Sequence, residues 1–458
     1  AVDGASGADP ALQRALAGLG ARGIGRGEVA IHVRDLDSGA VLFDQHGDRL
    51  MNPASNQKLV TATAAAELLG PDYRFETRVE RRGDALVLVG EGDPGLQLAH
   101  LYELAAAVVR SGAAEGATRL LVDDAAFSAR TYGPGYGPEG DGDAYTAPSS
   151  ALSLHWNTVR VTVRPGPSGH APEVTVEPPS AHVIVDNRAK TGGRADLRVR
   201  SEARGDQTAV VVEGTLPGGH RPMQWFRRVH DPAAFTGHAF ARLVHEVGGP
   251  QLPVARLDAE PSLDRTSAAR VVATHQSPPL SELLESALKF SNNFTTEQVL
   301  RTLAWRATGR PGSWVDGREV LRQWWSATGH GDAAIVLHNG SGLSRKGRVR
   351  ARDLVDVVAR SSAAGAELPE LVAALPAAGR DGTLRRRMGA AHGRIRAKTG
   401  TMGGVSSLSG VVVSEGGQRR VGFSVIVNDA GDLGRARALQ DRVALAILRR
   451  IDALDPAS

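Results

Sequence analysis

Between Asn52-Pro53 and Gly70-Pro71 lies an apolar run, Leu59-Val60-Thr61-Ala62-Thr63-Ala64-Ala65-Ala66-Glu67-Leu68-Leu69, preceded by Ser55-Asn56-Gln57-Lys58. The first proline pushes the residue before it out of helical geometry, and Gly-Pro is a helix stop. The segment therefore reads as a buried helix with Ser55 in its first turn, and the rest of the chain has to be arranged around it. Ser55 and Lys58 stand three apart, so their side chains share a face about a turn apart. A hydroxyl at a helix start, with an amine beside it to take its proton, is a nucleophile with its base. Taken alone, a Ser-x-x-Lys pair is common on solvated surfaces and specifies little.

At 458 residues the chain exceeds one ordinary core, so two or three domains are expected. A hydrophobic content of 41% and a charged content of 23% are those of a globular protein. No run of eighteen apolar residues is present, so no transmembrane segment is expected. The chain starts at Ala1 without an apolar signal core, which fits an exported protein whose signal was removed. Cysteine is absent, which excludes disulfides, thiolate metal sites and a cysteine nucleophile. The fourteen histidines form neither H-E-x-x-H nor a tight cluster, so no metal and no cofactor is expected. A net charge of +4 without a basic stripe interleaved with aromatics argues against nucleic-acid binding.

The choice of cation is more informative. Of 54 cationic residues only Lys58, Lys190, Lys289, Lys346 and Lys398 are lysine. Arginine keeps its proton, whereas a buried lysine can lose one and act as a base. Each lysine is thus a place to look for chemistry.

Along the chain, a helix over 8–20 precedes strands 29–33 and 41–43, which form a hairpin into the Ser55 helix. Gly18-Leu19-Gly20-Ala21-Arg22-Gly23 matches G-x-G-x-x-G, but it follows a helix where a dinucleotide site needs a strand. From about Tyr73 the texture becomes strand-rich, with a hairpin over 78–89, a helix over 98–111 and a strand over 120–124. Residues 131–149 are a loop rich in Gly, Pro, Asp and Tyr. Short strands follow to 212, then a helix over 235–247, and the strand texture fades near Val272. Beyond it come helices over 280–290 and 294–304 flanking Ser291-Asn292-Asn293, and helices over 315–327 and 351–360. A strand over 394–397 leads into Lys398-Thr399-Gly400-Thr401, followed by a hairpin of 405–413 and 421–427. A last helix over 433–451 carries arginines on one side, a face that is solvated or touches anionic lipid or wall.

Ser55-x-x-Lys58, Ser291-Asn292-Asn293 and Lys398-Thr399-Gly400 thus occur in order, at a helix start, between two helices and on a strand opening a hairpin. That ordered set is the signature of penicillin-binding proteins and β-lactamases. The chain closely resembles the penicillin-binding D-Ala-D-Ala carboxypeptidase/endopeptidase family S13, the low-molecular-mass class C penicillin-binding proteins. The resemblance includes Gly92-Asp93-Pro94, Tyr145-Thr146-Ala147-Pro148, Glu297, Gly340-Ser341-Gly342-Leu343-Ser344-Arg345 and Asp381-Gly382-Thr383-Leu384.

It implies an α/β fold: a penicillin-recognising, transpeptidase-like domain of antiparallel sheet and flanking helices, interrupted by two smaller, mainly β inserted domains. The expected boundaries are 1–70 and 272–458 for the catalytic domain, 71–95 with 165–271 for one insert, and 96–164 for a second, α/β one. The implied function is a serine-type D-Ala-D-Ala carboxypeptidase, also an endopeptidase in some members, acting on peptidoglycan stem peptides through an acyl-enzyme and acylated by β-lactams. The alternatives are a β-lactamase and a non-catalytic penicillin- or wall-binding protein.

By the same resemblance Ser55 is nucleophile, Lys58 its base, Ser291 a proton relay and Asn293 a holder of Lys58 and substrate. The backbone N–H groups of Ser55 and Thr401 form the oxyanion hole. Lys398, Thr399, Gly400 and Thr401 take the terminal carboxylate. Arg345, Tyr145 and Met402 line a pocket for the stem-peptide side chain, with Asp141 or Glu139 meeting its ammonium. Lys289 is structural or supports the site. The implied location is outside the cytoplasmic membrane, in wall, periplasm or medium, with at most peripheral membrane association.

Overall fold

The computed structural model describes residues 9–20, 27–259, 269–330, 335–362 and 370–455. The discarded glycine motif ends the first helix at Gly20, and its residues 21–23 lie outside the described residues. The chain forms two compact units: 1–73, 279–303 and 314–458 in the first, 74–278 and 304–313 in the second.

The first unit is built on a five-stranded antiparallel sheet ordered Ile395–Met402, Val405–Val413, Arg420–Asn428, Glu28–Asp35, Val41–Gln45. Alternation along the strands decides which face each side chain covers. Val421, Phe423, Val425 and Val427 join Leu12 and Leu16 of helix Pro10–Gly20, and Leu439, Val443 and Ile447 of helix Leu433–Leu454, in one core. The intervening Gly422 faces the other way, where a Cβ would meet Val355 of helix Ala351–Ser362 at 3.0 Å. Helices therefore cover both faces of the sheet, which explains why its two central strands Val405–Val413 and Arg420–Asn428 are buried almost throughout. Behind Ala351–Ser362 packs Gln57–Leu69, buried on every side from Gln57 to Ala66. Arg435, Arg442 and Arg449 on the last helix are exposed.

Among the described residues the second unit holds three sheets. In its five-stranded sheet the order is Val254–Arg256, Arg119–Asp123, Ala85–Gly90, Glu76–Arg82, Arg270–Gln276. Strands from 71–95, from 96–164 and from the stretch beyond 165 thus hydrogen-bond in one sheet, cutting across the division drawn inside the insert. Ala85–Gly90 and Arg119–Asp123 are parallel and joined through helix Leu98–Arg110, a crossover unit that sequence texture reads as a break. Arg270–Gln276 was missed because it is an edge strand with an exposed Val271, lacking apolar alternation. The other two sheets are ordered Met223–Arg228, Thr158–Arg164, Glu173–Glu177 and Asp196–Arg204, Gln207–Leu216, Val183–Asn187. Arg228, fully buried, holds the Gly- and Asp-rich loop by donating to the carbonyls of Gly137, Pro138 and Glu139 and to Thr146 Oγ1.

Candidate active site

Ser55 sits on a 3-10 turn, Ala54–Asn56, that runs directly into the buried helix. The residue before it, Ala54, has φ +45°, a left-handed conformation that costs an L-residue about 1–2 kcal/mol. Such strain persists only where the surroundings hold it, and here they do. Asn52 accepts the Ala54 N–H at 2.8 Å and donates to the Ser344 carbonyl at 2.8 Å. Asn428 bonds both backbone groups of Asn52 at 2.8 and 3.0 Å. Ser407 donates to the Pro53 carbonyl at 2.6 Å.

One turn on, Lys58 has no exposed surface. Its Nζ lies 3.1 Å from Ser55 Oγ, 2.7 Å from Asn293 Oδ1 and 2.8 Å from the Ser341 carbonyl. Burial pulls its pKa down to about 7, with Glu297 opposing the shift. The amine is therefore part neutral at neutral pH, able to accept the hydroxyl proton of Ser55.

Lys398 is equally buried. Its Nζ donates to Ser291 Oγ at 2.9 Å and to the Thr399 carbonyl at 2.6 Å. Its pKa is lowered well below the lysine range, by burial first and by the Lys58 charge second. The strand that leads into it runs on to Met402, pairing Lys398 with Ser409 and Thr401 with Ser406. This is an edge strand of the sheet, and alternation buries Lys398 and Gly400 while Thr399 is half-buried and Thr401 exposed. Gly400 has to be glycine: a Cβ would collide with Ser407 Oγ and stand 2.8 Å from the Pro53 carbonyl and 3.1 Å from the Ser55 nitrogen. Bare backbone is what lets the lysine strand press against the serine turn.

The three motifs thus converge. Ser291, at φ +57°, ends helix Leu280–Phe290 and turns its hydroxyl to Lys398, while Asn293 opens the next helix and faces Lys58. The middle residue does the capping, since Asn292 Oδ1 accepts the Thr295 N–H at 3.2 Å. Ser291 is expected as a relay for Lys58, and the partner its hydroxyl meets is Lys398. Lys289 binds Asp381 at 2.5 Å, and Asp381 also accepts the Ala377 N–H at 2.8 Å. Arg345 is exposed, and its guanidinium lies 3.2 Å from where a Cβ on Gly403 would stand, so it borders the turn after Met402. Tyr145 and Asp141 belong to the second unit. Tyr145 is exposed, and Asp141 is ion-paired with Arg198 at 2.6 Å, a hydrogen bond that holds its carboxyl below the usual range.

A family model described as the D-Ala-D-Ala carboxypeptidase 3 (S13) family matches residues 12–449. A D-alanyl-D-alanine carboxypeptidase of Actinomadura sp. (strain R39) is 35% identical, over 96% of this chain and 82% of its own length. The chain belongs to the S13 family. It is a serine-type D-Ala-D-Ala carboxypeptidase. Another relative, D-alanyl-D-alanine carboxypeptidase DacB of Haemophilus influenzae, is 25% identical over 88% of this chain and 86% of its own. The crystal structure of penicillin binding protein 4 (dacB) from that organism superposes with a TM-score of 0.80 at 22% identity, covering 94% of this chain and 98% of the other. The same protein is also solved in complex with a β-lactam, at a TM-score of 0.72.

Sequence reasoning gave no role to three S13 residues that touch this carboxypeptidase site. The Ser341 carbonyl accepts from Lys58, and Thr383 Oγ1 accepts from Thr399 Oγ1 at 2.7 Å. Glu297 is fully buried beneath Ser341. Their only trace was membership of family-like segments, because the Ser341 acceptor is backbone and the contacts of Thr383 and Glu297 are made with residues distant in sequence. Among the described residues no metal-binding cluster is found, and no helix is long and apolar enough to cross a membrane.

Proposed function

We propose that Ser55 is the acylated nucleophile and that Lys58 is its base. The observation that carries this is a fully buried amine, its pKa near 7, 3.1 Å from the Ser55 hydroxyl. Neutral Lys58 removes the hydroxyl proton while Ser55 Oγ bonds to the carbonyl carbon of the penultimate D-alanine. The carbonyl oxygen becomes an oxyanion between the backbone N–H groups of Ser55 and Thr401; a lost donor of this kind typically costs about 10²–10³ in rate. The C–N bond then breaks, D-alanine departs with a proton delivered through Ser291, and an ester joins Ser55 to the peptide. Water cleaves the ester after giving its proton to Lys58, and Ser55 recovers its hydrogen.

Lys398, Thr399, Gly400 and Thr401 form the edge of the sheet on which the terminal carboxylate docks. A cation and hydroxyls there supply charge-assisted hydrogen bonds. A carboxylate arriving at Lys398 supplies the opposite charge that this buried amine lacks, favouring its protonated form while Lys58 gives up its own proton. Arg345 offers a planar fork for a stem-peptide side-chain carboxylate, beside Met402. The substrate is a peptidoglycan stem peptide, the site of action lies outside the cytoplasmic membrane, and β-lactams acylate the same serine.

Intact-mass and peptide mass spectrometry after incubation with benzylpenicillin tests this reading. The adduct is expected on the peptide carrying Ser55 and absent in Ser55→Ala; an adduct on another peptide, or one that survives the substitution, overturns it.

A further inference from the structure

Glu297 is a carboxylate with no exposed surface, and such a group is retained only where it is paired and hydrogen-bonded. Its surroundings in the first unit meet that requirement. Oε1 accepts the Ser341 N–H at 2.9 Å, and Oε2 accepts the Gly340 N–H at 3.0 Å and the Trp314 indole N–H at 2.7 Å. The Arg301 guanidinium, also fully buried, stacks 4.3 Å from the centre of the Trp314 ring. Ser341, gripped through its nitrogen by Glu297, offers its carbonyl to Lys58 Nζ at 2.8 Å. The preceding carbonyl, of Gly340, accepts from Thr61 on the serine helix at 2.8 Å. Gly340 itself is seated so tightly that a Cβ would fall within contact distance of the Thr296 carbonyl. Helix Asn293–Thr308 thus brings two groups to Lys58: Asn293 directly, and Glu297 through the 340–341 backbone.

We infer that Glu297 is the positioning residue of the catalytic base: it fixes the backbone carbonyl that orients Lys58 and sets a buried carboxyl behind that carbonyl. Lys58 and Lys398 are two buried amines that burial drives toward the neutral form, and the Lys58 charge adds to the shift of Lys398. Glu297 acts on Lys58 in the opposite direction. The carboxylate therefore sets how far into the acid range the base stays usable. It touches neither substrate nor the reacting oxygen, so it is not itself a catalytic residue.

This inference rests on the roles proposed for Ser55 and Lys58. The test is the pH profile of acylation by benzylpenicillin, measured as a rate constant per folded molecule, in wild type and Glu297→Gln. In wild type the rate rises with pH through the Lys58 titration. Removing the charge lowers the Lys58 pKa, so the acid limb of E297Q is expected to move down by about one pH unit or more. A lower plateau is expected as well, since the amide puts a donor against one of the N–H groups. A merely structural role would lower the plateau without moving the limb, and coincident limbs overturn the inference. If wild type forms no Ser55 adduct, the reading of Ser55 and Lys58 fails instead. Should E297Q not fold, Glu297→Asp is the second arm: the shorter side chain draws the carboxyl back from the 340–341 backbone. Its limb is expected to move down by a smaller amount with a lower plateau, and a limb coincident with wild type overturns the inference.

Discussion

Lys58 and Lys398 have no exposed surface, and their ammonium groups are met by neutral oxygens: a hydroxyl, an amide and a backbone carbonyl for one, a hydroxyl and a carbonyl for the other. Cations in the second unit live differently. Around strands Asp196–Arg204 and Gln207–Leu216, Arg188 and Arg204 share Asp186, at 2.6 and 3.0 Å, and Arg204 also holds Glu202 at 2.7 Å, all beside water. There the hydrogen-bonded carboxylates push the arginine pKa values up and the arginines push the carboxyls down. Water and salt screen those pairs, so each contributes little. Burial turns the same kind of charge into something costly to keep, and a costly charge on an amine is a proton ready to leave. The three remaining lysines fall on the ordinary side of this divide: Lys190 and Lys346 are exposed, and Lys289 is tied to Asp381.

The sharpest way to break the comparison is to exchange cations across it. Lys58→Arg keeps a positive charge that cannot be given up, so acylation by benzylpenicillin is expected to fall by about 10³-fold, the scale of a lost general base. Arg188→Ala, made in the exposed network, is expected to leave the acylation rate unchanged. Near-normal acylation in K58R, read by stopped-flow or quenched mass spectrometry, would show that Lys58 acts only as a structural cation.

Backbone gives a second, smaller contrast. Gly400→Ala places a methyl against Pro53 and the Ser55 nitrogen, and displacing the serine turn by a fraction of an ångström is expected to cost about 10²-fold in acylation. Gly205→Ala in the second unit meets nothing within 4 Å, although its φ of +64° is left-handed. It is expected to cost about 1 kcal/mol in urea unfolding with no loss of rate. If both variants acylate like wild type, the lysine strand does not constrain the serine turn.

What could be read from sequence follows the same division. Ser55-x-x-Lys58, Ser291-Asn292-Asn293 and Lys398-Thr399-Gly400 were legible because local geometry demands those side chains and turn residues at fixed spacing. The Ser341 carbonyl was not, since any residue carries one. Glu297 stood in a quoted segment, yet its part depends on meeting Gly340 and Ser341 more than forty residues on. In the first unit the sheet and helices followed from apolar periodicity. In the second, Met223–Arg228 and Arg270–Gln276 are strands of mixed or exposed residues, and parallel pairing of Ala85–Gly90 with Arg119–Asp123 is non-local. Asp141, a candidate for the substrate ammonium, turned out to have an arginine partner from a strand distant in sequence.

The smallest effect is a slope of stability against pH, with one sign in both regions but a different window in each. Lys58 titrates near 7 in the folded protein and near 10.5 in a free chain. Between those values the unfolded state holds a proton that the native state lacks, so stability rises with pH across that window. Below pH 7 the native amine is protonated as well and the dependence flattens. One such group contributes at most about 1.4 kcal/mol per pH unit, and Lys398, shifted in the same direction, adds to it. The paired carboxyls of Asp186 and Glu202 give the same sign in a lower window: their contribution is present above the carboxyl range and is lost as pH falls through their lowered values. Urea midpoints at pH 7.5, 8.5 and 9.5 should climb in wild type and climb less steeply in Lys58→Met, which has no proton to release. Parallel climbs in the two proteins would mean that Lys58 titrates in the native state as it does in a free chain, and its closeness to Ser55 would then explain no chemistry.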